Sequence, residues 1–316
     1  MNFTRLRYFV SVAEELNISR AAEKLFISQQ SLSNHISRLE SELNVRLFSR
    51  TPRLALTYTG VCLLRTAKQI LELEKQIYTQ IDDIANERAG SLSIGLTRVR
   101  ARTILPQVLP SYSRLYPDVE FHTTITDNHG LQTKLLSGEL DLVICNNPPV
   151  DENITHIPLF QDKFCIVVPK EVMLSKYGDN YTGAVLAHQQ GQEFGSDFFE
   201  GLPVLMSVGT HVRSAIDRFF HMTGTVPNIL METDDIETLF SLCERGMGIT
   251  FSYEKYAQKF LSSLQSGEDN FGVLVFPVNN EALYGNIKIC YLNDRYLSKA
   301  ARQFIDIAQE IFNCNR

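Results

Sequence analysis

Residues 18–43, ISRAAEKLFISQQSLSNHISRLESEL, decide how this chain is read. Ala21, Ala22 and Leu25 mark the inner side of a short helix for which Ser19 is a good N-cap. Phe26-Ile27 is a tight connection, and Ser28 caps a longer helix that the spacing predicts to run to about Leu43. Within it Leu32, Ile36, Leu39 and Leu43 recur at steps of four, three and four, the pattern of one face aimed at a core. Gln29, Gln30, Ser33, Asn34 and Ser37 occupy the exposed side. A face meant only for water usually carries Lys and Glu. Gln and Asn instead match the paired donor and acceptor of adenine in the major groove, and Ser serves as either. A short helix, a tight turn and a polar-faced helix make the order of a helix-turn-helix, although a solvated helix of a small bundle would look the same in isolation.

The flanks sharpen the reading. Upstream, Leu6, Phe9, Ala13 and Leu16 form the apolar face of a first helix. Downstream, residues 46–57, RLFSRTPRLALT, read as two extended pieces around a Pro turn, a wing with Arg50 and Arg53 at or near its tip. Arginines there suit phosphates or the adjacent minor groove. The candidate DNA contacts are therefore Gln29, Gln30, Ser33, Asn34, Arg50 and Arg53. Beyond them Thr57 caps a helix expected to reach about Glu87, roughly 45 Å long. Its apolar residues, Leu63, Ala67, Ile70, Ile77, Ile81 and Ile84 with a parallel row at Leu64, Leu71, Tyr78 and Ala85, are heptad-like apart from Glu74. Such a seam is expected to pack against a second copy, giving a homodimer or homotetramer with paired recognition helices. The competing arrangement folds the helix back on its own domain. Gly90 is expected to end the helix as a hinge.

The run from Phe9 to Gly60 resembles the N-terminal domain of LysR-type transcriptional regulators. Ala21-Ala22, Ser28-Gln29, Ile36, Leu39-Glu40, Leu43, Leu47-Phe48, Arg50, Leu56-Thr57 and Gly60 fall at the family's spacing. Gln30 and Asn34 depart from it, standing where Pro and Arg are frequent. Loss of that Arg predicts a base preference shifted towards adenine.

From residue 90 the character changes to alternating strands and helices, an α/β pattern. Leu105-Pro106, Tyr116-Pro117, residues 138–144 (GELDLVI), Arg213, Asp217, Gly224, Pro227 and residues 246–249 (GMGI) resemble the same family's effector domain, which is similar to type-2 periplasmic binding proteins. The resemblance implies an overall class of α plus α/β: a winged helix-turn-helix over 1–57, a dimerising linker helix over 58–89 and a two-lobed effector domain over 90–316. Lobe I would comprise about 91–163 and 270–316, and lobe II about 164–269. Residues 179–202 fit least and read as a loop.

A two-lobed α/β body binds small molecules at the strand ends. Thr97, Arg98 and Arg100 open a helix after the first strand, and a helix N-terminus with arginine suits an anion. Arg102 lies close by. Surface ion pairs account for such arginines equally well. Thr126 and Asn146 end later strands, and the resemblance turns Ser207 and Thr210 towards the cleft from lobe II. Asp234, Asp235 and Glu237 are read as a helix N-cap rather than an acid–base site.

Charge divides the chain. The whole carries −6, but residues 1–60 hold eight Lys/Arg against five Asp/Glu, and the rest is acidic. That small basic head on an acidic body fits double-stranded DNA as one partner and a small effector as another, with RNA polymerase a third if the chain activates. The sequence contains neither a long apolar run nor a signal peptide, so a cytoplasmic location is expected. Six cysteines show no zinc spacing, seven histidines show no ligand spacing, and no metal or cofactor is expected. No enzymatic activity is expected either. Free packed thiols are the ordinary reading. A thiol-based redox regulator of the same architecture, acting through Cys145, Cys165 or Cys243, is the alternative, with Cys145 and Cys165 the pair considered.

Overall fold

The computed structural model describes residues 2–49, 53–85, 90–148, 150–208, 211–264 and 272–313. Arg50, Thr210 and Cys314 lie outside the described residues, as do the side chains of Ile84 and Ala85.

The head comprises α1 (Phe3–Glu15), α2 (Ile18–Lys24), α3 (Gln29–Leu43), β1 (Phe48–Ser49) and β2 (Ala55–Leu56), and it leads into α4 (Tyr58–Ala85). Each of the first three helices starts on a side-chain cap: Asn2 accepts from Arg5 N–H, Asn17 from Arg20 N–H and Ser28 from Ser31 N–H. The second helix thus begins at Ile18, and Asn17 rather than Ser19 is its cap, because the Asn17 side chain reaches the free amide of the first turn. Leu6, Phe9, Val12, Ala21, Ala22, Leu32, Ile36 and Leu39 close one core. β1 and β2 pair antiparallel, Phe48 facing Leu56, and form the wing.

The first half of α4 belongs to that core. Ala67 is fully buried in it, and Leu63, Leu64, Ile70 and Leu71 pack against it. Arg7 pairs with Glu74 at 2.7 Å and Lys68 with Glu14 at 2.9 Å, so α4 is also tied to α1. The idea that the whole apolar seam awaits a second copy therefore needs correction: among its described residues Ile77, Tyr78 and Ile81 stay exposed, with Leu73 beside them.

The body begins with β3 (Gly90–Leu96), α5 (Arg98–Leu115), β4 (Val119–Ile125), α6 (Asn128–Leu136), β5 (Leu142–Asn146) and β6 (Ile154–Asp162). Gly90 is the first residue of β3, paired with Val119, rather than the last of the linker helix. A second unit follows: β7 (Phe164–Pro169), α7 (Lys170–Tyr177), α8 (Tyr181–Gln189), α9 (Ser196–Phe199), β8 (Pro203–Ser207), α10 (His211–Thr223), β9 (Asn228–Thr233), α11 (Ile236–Glu244), β10 (Thr250–Tyr253), α12 (Glu254–Leu264) and β11 (Val273–Pro277). β12 (Gly285–Leu292) and α13 (Lys299–Asn313) return to the first.

The lobe I sheet has the order β4-β3-β5-β12-β6, parallel from β4 to β5 and antiparallel where β12 inserts. α5 and α13, the latter through Phe304, cover one face over Leu92, Ile94, Ile144 and Ile289; α6 covers the other over Val143, Cys145 and Cys290. Lobe II holds the sheets β10-β7-β11 and β8-β9, joined by a bridge between Val204 and Ile249. β11 pairs with β7, so the chain returns to lobe I after Pro277 rather than near 270. Residues 181–189 and 196–199 are helical rather than a loop. Phe194, Phe198, Phe199 and the buried His188 stack there, and that aromatic burial offsets weak local propensity. Among the described residues no helix is long and apolar enough to cross a membrane.

Candidate DNA interface and effector cleft

On α3 the two faces do different jobs. Gln29, Gln30 and Asn34 are exposed, Ser33 is half-buried, and the apolar face is fully packed. Gln29 is already oriented, since its Oε1 accepts from Ser19 Oγ at 3.0 Å. Arg53 is exposed on the wing. The wing's root is held by Glu40, a buried carboxylate that accepts from Leu47 N–H at 2.8 Å, Phe48 N–H at 3.2 Å and Arg46 at 3.0 Å. The end of the recognition helix thereby fixes the start of the wing. Thr57 closes the other side: its hydroxyl donates to the Arg46 carbonyl at 2.7 Å and accepts from Gly60 N–H at 3.0 Å. A Cβ on Gly60 would overlap the Leu47 carbonyl, so only glycine lets α4 start this close to the wing.

In the body, the carboxyl ends of β3 and β5 meet lobe II around Arg100. This side chain is 1 % exposed, and its Nε donates to Asn146 at 2.6 Å while Nη1 donates to Asp162 at 2.5 Å. Asp162, also 1 % exposed, accepts from Lys255 N–H at 3.1 Å. The Arg100 guanidinium lies 5.2 Å from the Tyr253 ring centroid and 5.9 Å from that of Phe160. Its Nη2 is buried and has no hydrogen-bond partner among the described residues. Asn128, at the start of α6, donates to the Asn146 carbonyl at 3.0 Å and touches His211 Nε2 at the start of α10, a contact between the lobes. Burial, then the nearby Arg100 charge, holds the His211 ring below its ordinary 6.5. Burial pushes the Tyr253 hydroxyl up.

Of the expected residues, the structure brings Arg100 and Asn146 into direct contact. Thr97 occupies the N-cap of α5 without a side-chain cap bond. Arg98 is exposed, and Arg102 leaves the cleft to pair with Glu237 and to donate to the Tyr256 hydroxyl at 3.3 Å. Thr126 is half-buried beyond β4, with its N–H donating to the Leu96 carbonyl at 3.3 Å. Ser207 is buried at the end of β8. Asp235 is the N-cap of α11, and the Thr238 hydroxyl donates to its carboxylate at 2.7 Å. Sequence reasoning missed Asp162, Tyr253 and Asn128, which are far from Arg100 in the chain. The available signal was Asp162 as the one acidic residue of its strand.

A joint connects the body to α4. Arg295 pairs with Glu72, reaches Asp141 at 3.1 Å and donates to the carbonyls of Gly138 at 2.7 Å and Leu140 at 2.8 Å. Gly138 has φ +80°, and a Cβ there would overlap Glu72, so glycine is required twice over. Burial raises Glu72 above the ordinary carboxylate value despite its Arg295 partner. Among the described residues, no group of three or more His, Cys, Asp or Glu could hold a metal ion.

A helix-turn-helix with a wing, joined by a long helix to two α/β lobes around a buried polar centre, defines a DNA-binding regulator with a ligand-sensing body. Residues 3–61 match the bacterial regulatory helix-turn-helix family of LysR type, and residues 85–313 match the LysR substrate-binding domain. The chain belongs to the LysR family of transcriptional regulators and carries its effector-binding domain. It is 30 % identical over 313 residues to the Hca operon transcriptional activator HcaR of Escherichia coli K12, covering 98 % of each chain. In fold it is similar to full-length CbnR in complex with its target DNA (TM-score 0.66, 19 % identity, 98 % of this chain and 100 % of that one). It is also similar to a full-length OxyR variant from Pseudomonas aeruginosa (TM-score 0.68, 22 % identity, 99 % and 95 %). The family is one of transcriptional regulators, generally without enzymatic activity.

Proposed function

We propose that this regulator responds to a small anionic effector, such as a carboxylate, seated between the two lobes at Arg100. The observation that carries this is the buried Nη2 of Arg100, left without a partner between two aromatic rings. Asp162 balances the charge of Arg100, and the remaining N–H groups can still donate to an anion. The first turn of α5, uncapped by Thr97, adds backbone N–H groups and the positive end of the helix. Asn146 supplies a polar wall, and Ser207, Thr126 and Arg98 join the proposed site on the strength of their places at strand and helix ends. The effector changes the contact between lobes only if it binds the closed and open forms unequally. The Asn128–His211 contact is the element it would bias.

In this reading residues 1–57 bind DNA through Gln29, Gln30, Ser33, Asn34, Arg50 and Arg53. Residues 58–89 join two copies through the exposed stripe at Leu73, Ile77 and Ile81, and residues 90–316 sense the effector. A two-fold dimer sets paired helices on a two-fold operator. The likeness to an operon activator supports an activating role with RNA polymerase as a further partner.

A panel of small carboxylates and phosphates tested by thermal shift on the full chain decides the effector class. A stabilising anion whose effect disappears in Arg100→Met supports the reading. Stabilisation that persists in that variant, or a panel in which nothing binds, sinks it.

A further inference from the structure

On the α6 side of the lobe I sheet, away from Arg100, three neighbouring strands bring Cys145, Cys290 and His156 together. In the register of β5 and β12, Cys290 faces Val143 and Cys145 faces Lys288, so the two cysteines are diagonal neighbours on one face. The neighbouring Cys290 thiol is the largest influence on the Cys145 thiol. On β6, His156 is the direct partner of Cys290, with Nδ1 3.4 Å from Sγ. All three line one cavity beneath α6, which has room for a guest the size of a water or a peroxide. The His156 Nε2 is buried there without a hydrogen-bond partner among the described residues. Cys165 and Cys243, by contrast, pack in lobe II, where they donate to backbone carbonyls.

We propose that Cys145 and Cys290 form a two-thiol switch that a small hydroperoxide converts into a disulfide. Both cysteines are buried, and the neighbouring Cys290 thiol, then burial, pushes the Cys145 thiol up. Burial and the charge of Lys288 hold His156 below its ordinary value, so the ring is a neutral base. The reaction therefore starts inside the Cys290–His156 pair. His156 Nδ1 takes the Cys290 proton, and the thiolate attacks one peroxide oxygen. The O–O bond breaks, and the departing oxygen recovers the proton from His156 and leaves as water or an alcohol. Cys290 is now a sulfenic acid. Cys145 Sγ attacks it, the S–O bond breaks, and a second water leaves with the Cys145 proton. The two thiols lose two electrons and the peroxide gains them.

The disulfide would also move the fold. Diagonal partners lie about 7–8 Å apart, whereas a relaxed disulfide spans Cα atoms at most about 6.8 Å apart. One strand must shift; on the far side of β12 its partner β6 already carries an extra residue, Leu159, opposite Ile287 and Lys288. Upstream of β5 is Asp141 and beyond β12 is Arg295, which pairs with both Asp141 and Glu72 of the linker helix. Oxidation of the pair therefore reports to α4 through that joint.

The test uses the reduced full chain, hydrogen peroxide, thiol quenching and peptide mapping by mass spectrometry. The expected product joins the Cys145 and Cys290 peptides with loss of two hydrogens, is reversed by dithiothreitol and is absent in Cys145→Ser. His156→Gln slows its formation at least about tenfold. Because the mapping is read first on the unsubstituted chain, a variant that fails to fold does not blur the result. Both thiols remaining free while exposed Cys62 is oxidised overturns the proposal. An equal rate with cumene hydroperoxide, too bulky for the cavity, overturns the route. Unchanged amide exchange in α4 near Glu72 after oxidation overturns the coupling.

Discussion

The proposed DNA-facing side of α3 and the proposed effector site at Arg100 both consist of polar side chains, yet Gln29, Gln30 and Asn34 are exposed and uncharged while Arg100 and Asp162 are charged and 1 % exposed. The difference follows from the partner. DNA is large and brings its own hydration, so the residues that meet it stay in water and cost the fold nothing. A small ligand is surrounded, so its residues are dehydrated in advance, and each charge must find a partner inside the protein. The head separates binding from stability; the cleft cannot.

Arg100→Met tests that contrast most severely. It leaves Asp162 buried and unpaired and should cost about 3–5 kcal/mol in denaturant unfolding. The double variant Arg100→Met with Asp162→Leu should recover most of that loss. A single variant as stable as the parent would erase the distinction between the two sites.

Glu40→Ala comes next, because Glu40 is the residue of α3 that behaves like the cleft. Removing its carboxylate orphans two buried N–H groups, at about 1–3 kcal/mol each, so DNA binding should fall together with melting temperature. Asn34→Ala and Gln30→Ala should do the reverse: stability within about 0.5 kcal/mol of the parent, with weaker binding to the specific site. Asn34→Arg should move site preference away from adenine, read by selection of binding sites. An unchanged site would remove Asn34 from base recognition.

The smallest effect is a pH dependence. The His211 ring is held below its ordinary 6.5 in the folded chain, so the unfolded chain binds its proton first as pH falls. Its contribution is complete above pH 6.5 and is lost progressively below that value as the pH drops towards the depressed one. His211→Asn should flatten this part of the stability profile, measured by urea unfolding between about pH 5 and 7.5. An unaltered slope would show that the lobe contact does not titrate.

The head was readable from sequence because its information is local. Caps and apolar spacings along three helices fix the packing, and the two residues that lock the wing, Glu40 and Thr57, lie 7 and 11 residues from what they hold. The cleft was readable only in part. Arg100 and Asn146 stood out as strand-end residues, but the three arginines 98, 100 and 102 went to three different surroundings. Helical spacing turns each residue about 100° from its predecessor, and the sequence does not show what each then meets. The cysteines make the same point: Cys145 was weighed with Cys165, twenty positions away, and the fold instead set it beside Cys290.

Sequence alone determined the order of parts: a polar-faced recognition helix, a wing, a long helix and an α/β body. These follow from backbone preference and hydrophobic period, both carried by neighbours in the chain. Only the tertiary structure decided which buried charges are paired, that half of α4 belongs to the head, and that Arg295 ties lobe I to Glu72. Those outcomes depend on side chains distant in sequence meeting where water is excluded, and no local pattern encodes such a meeting.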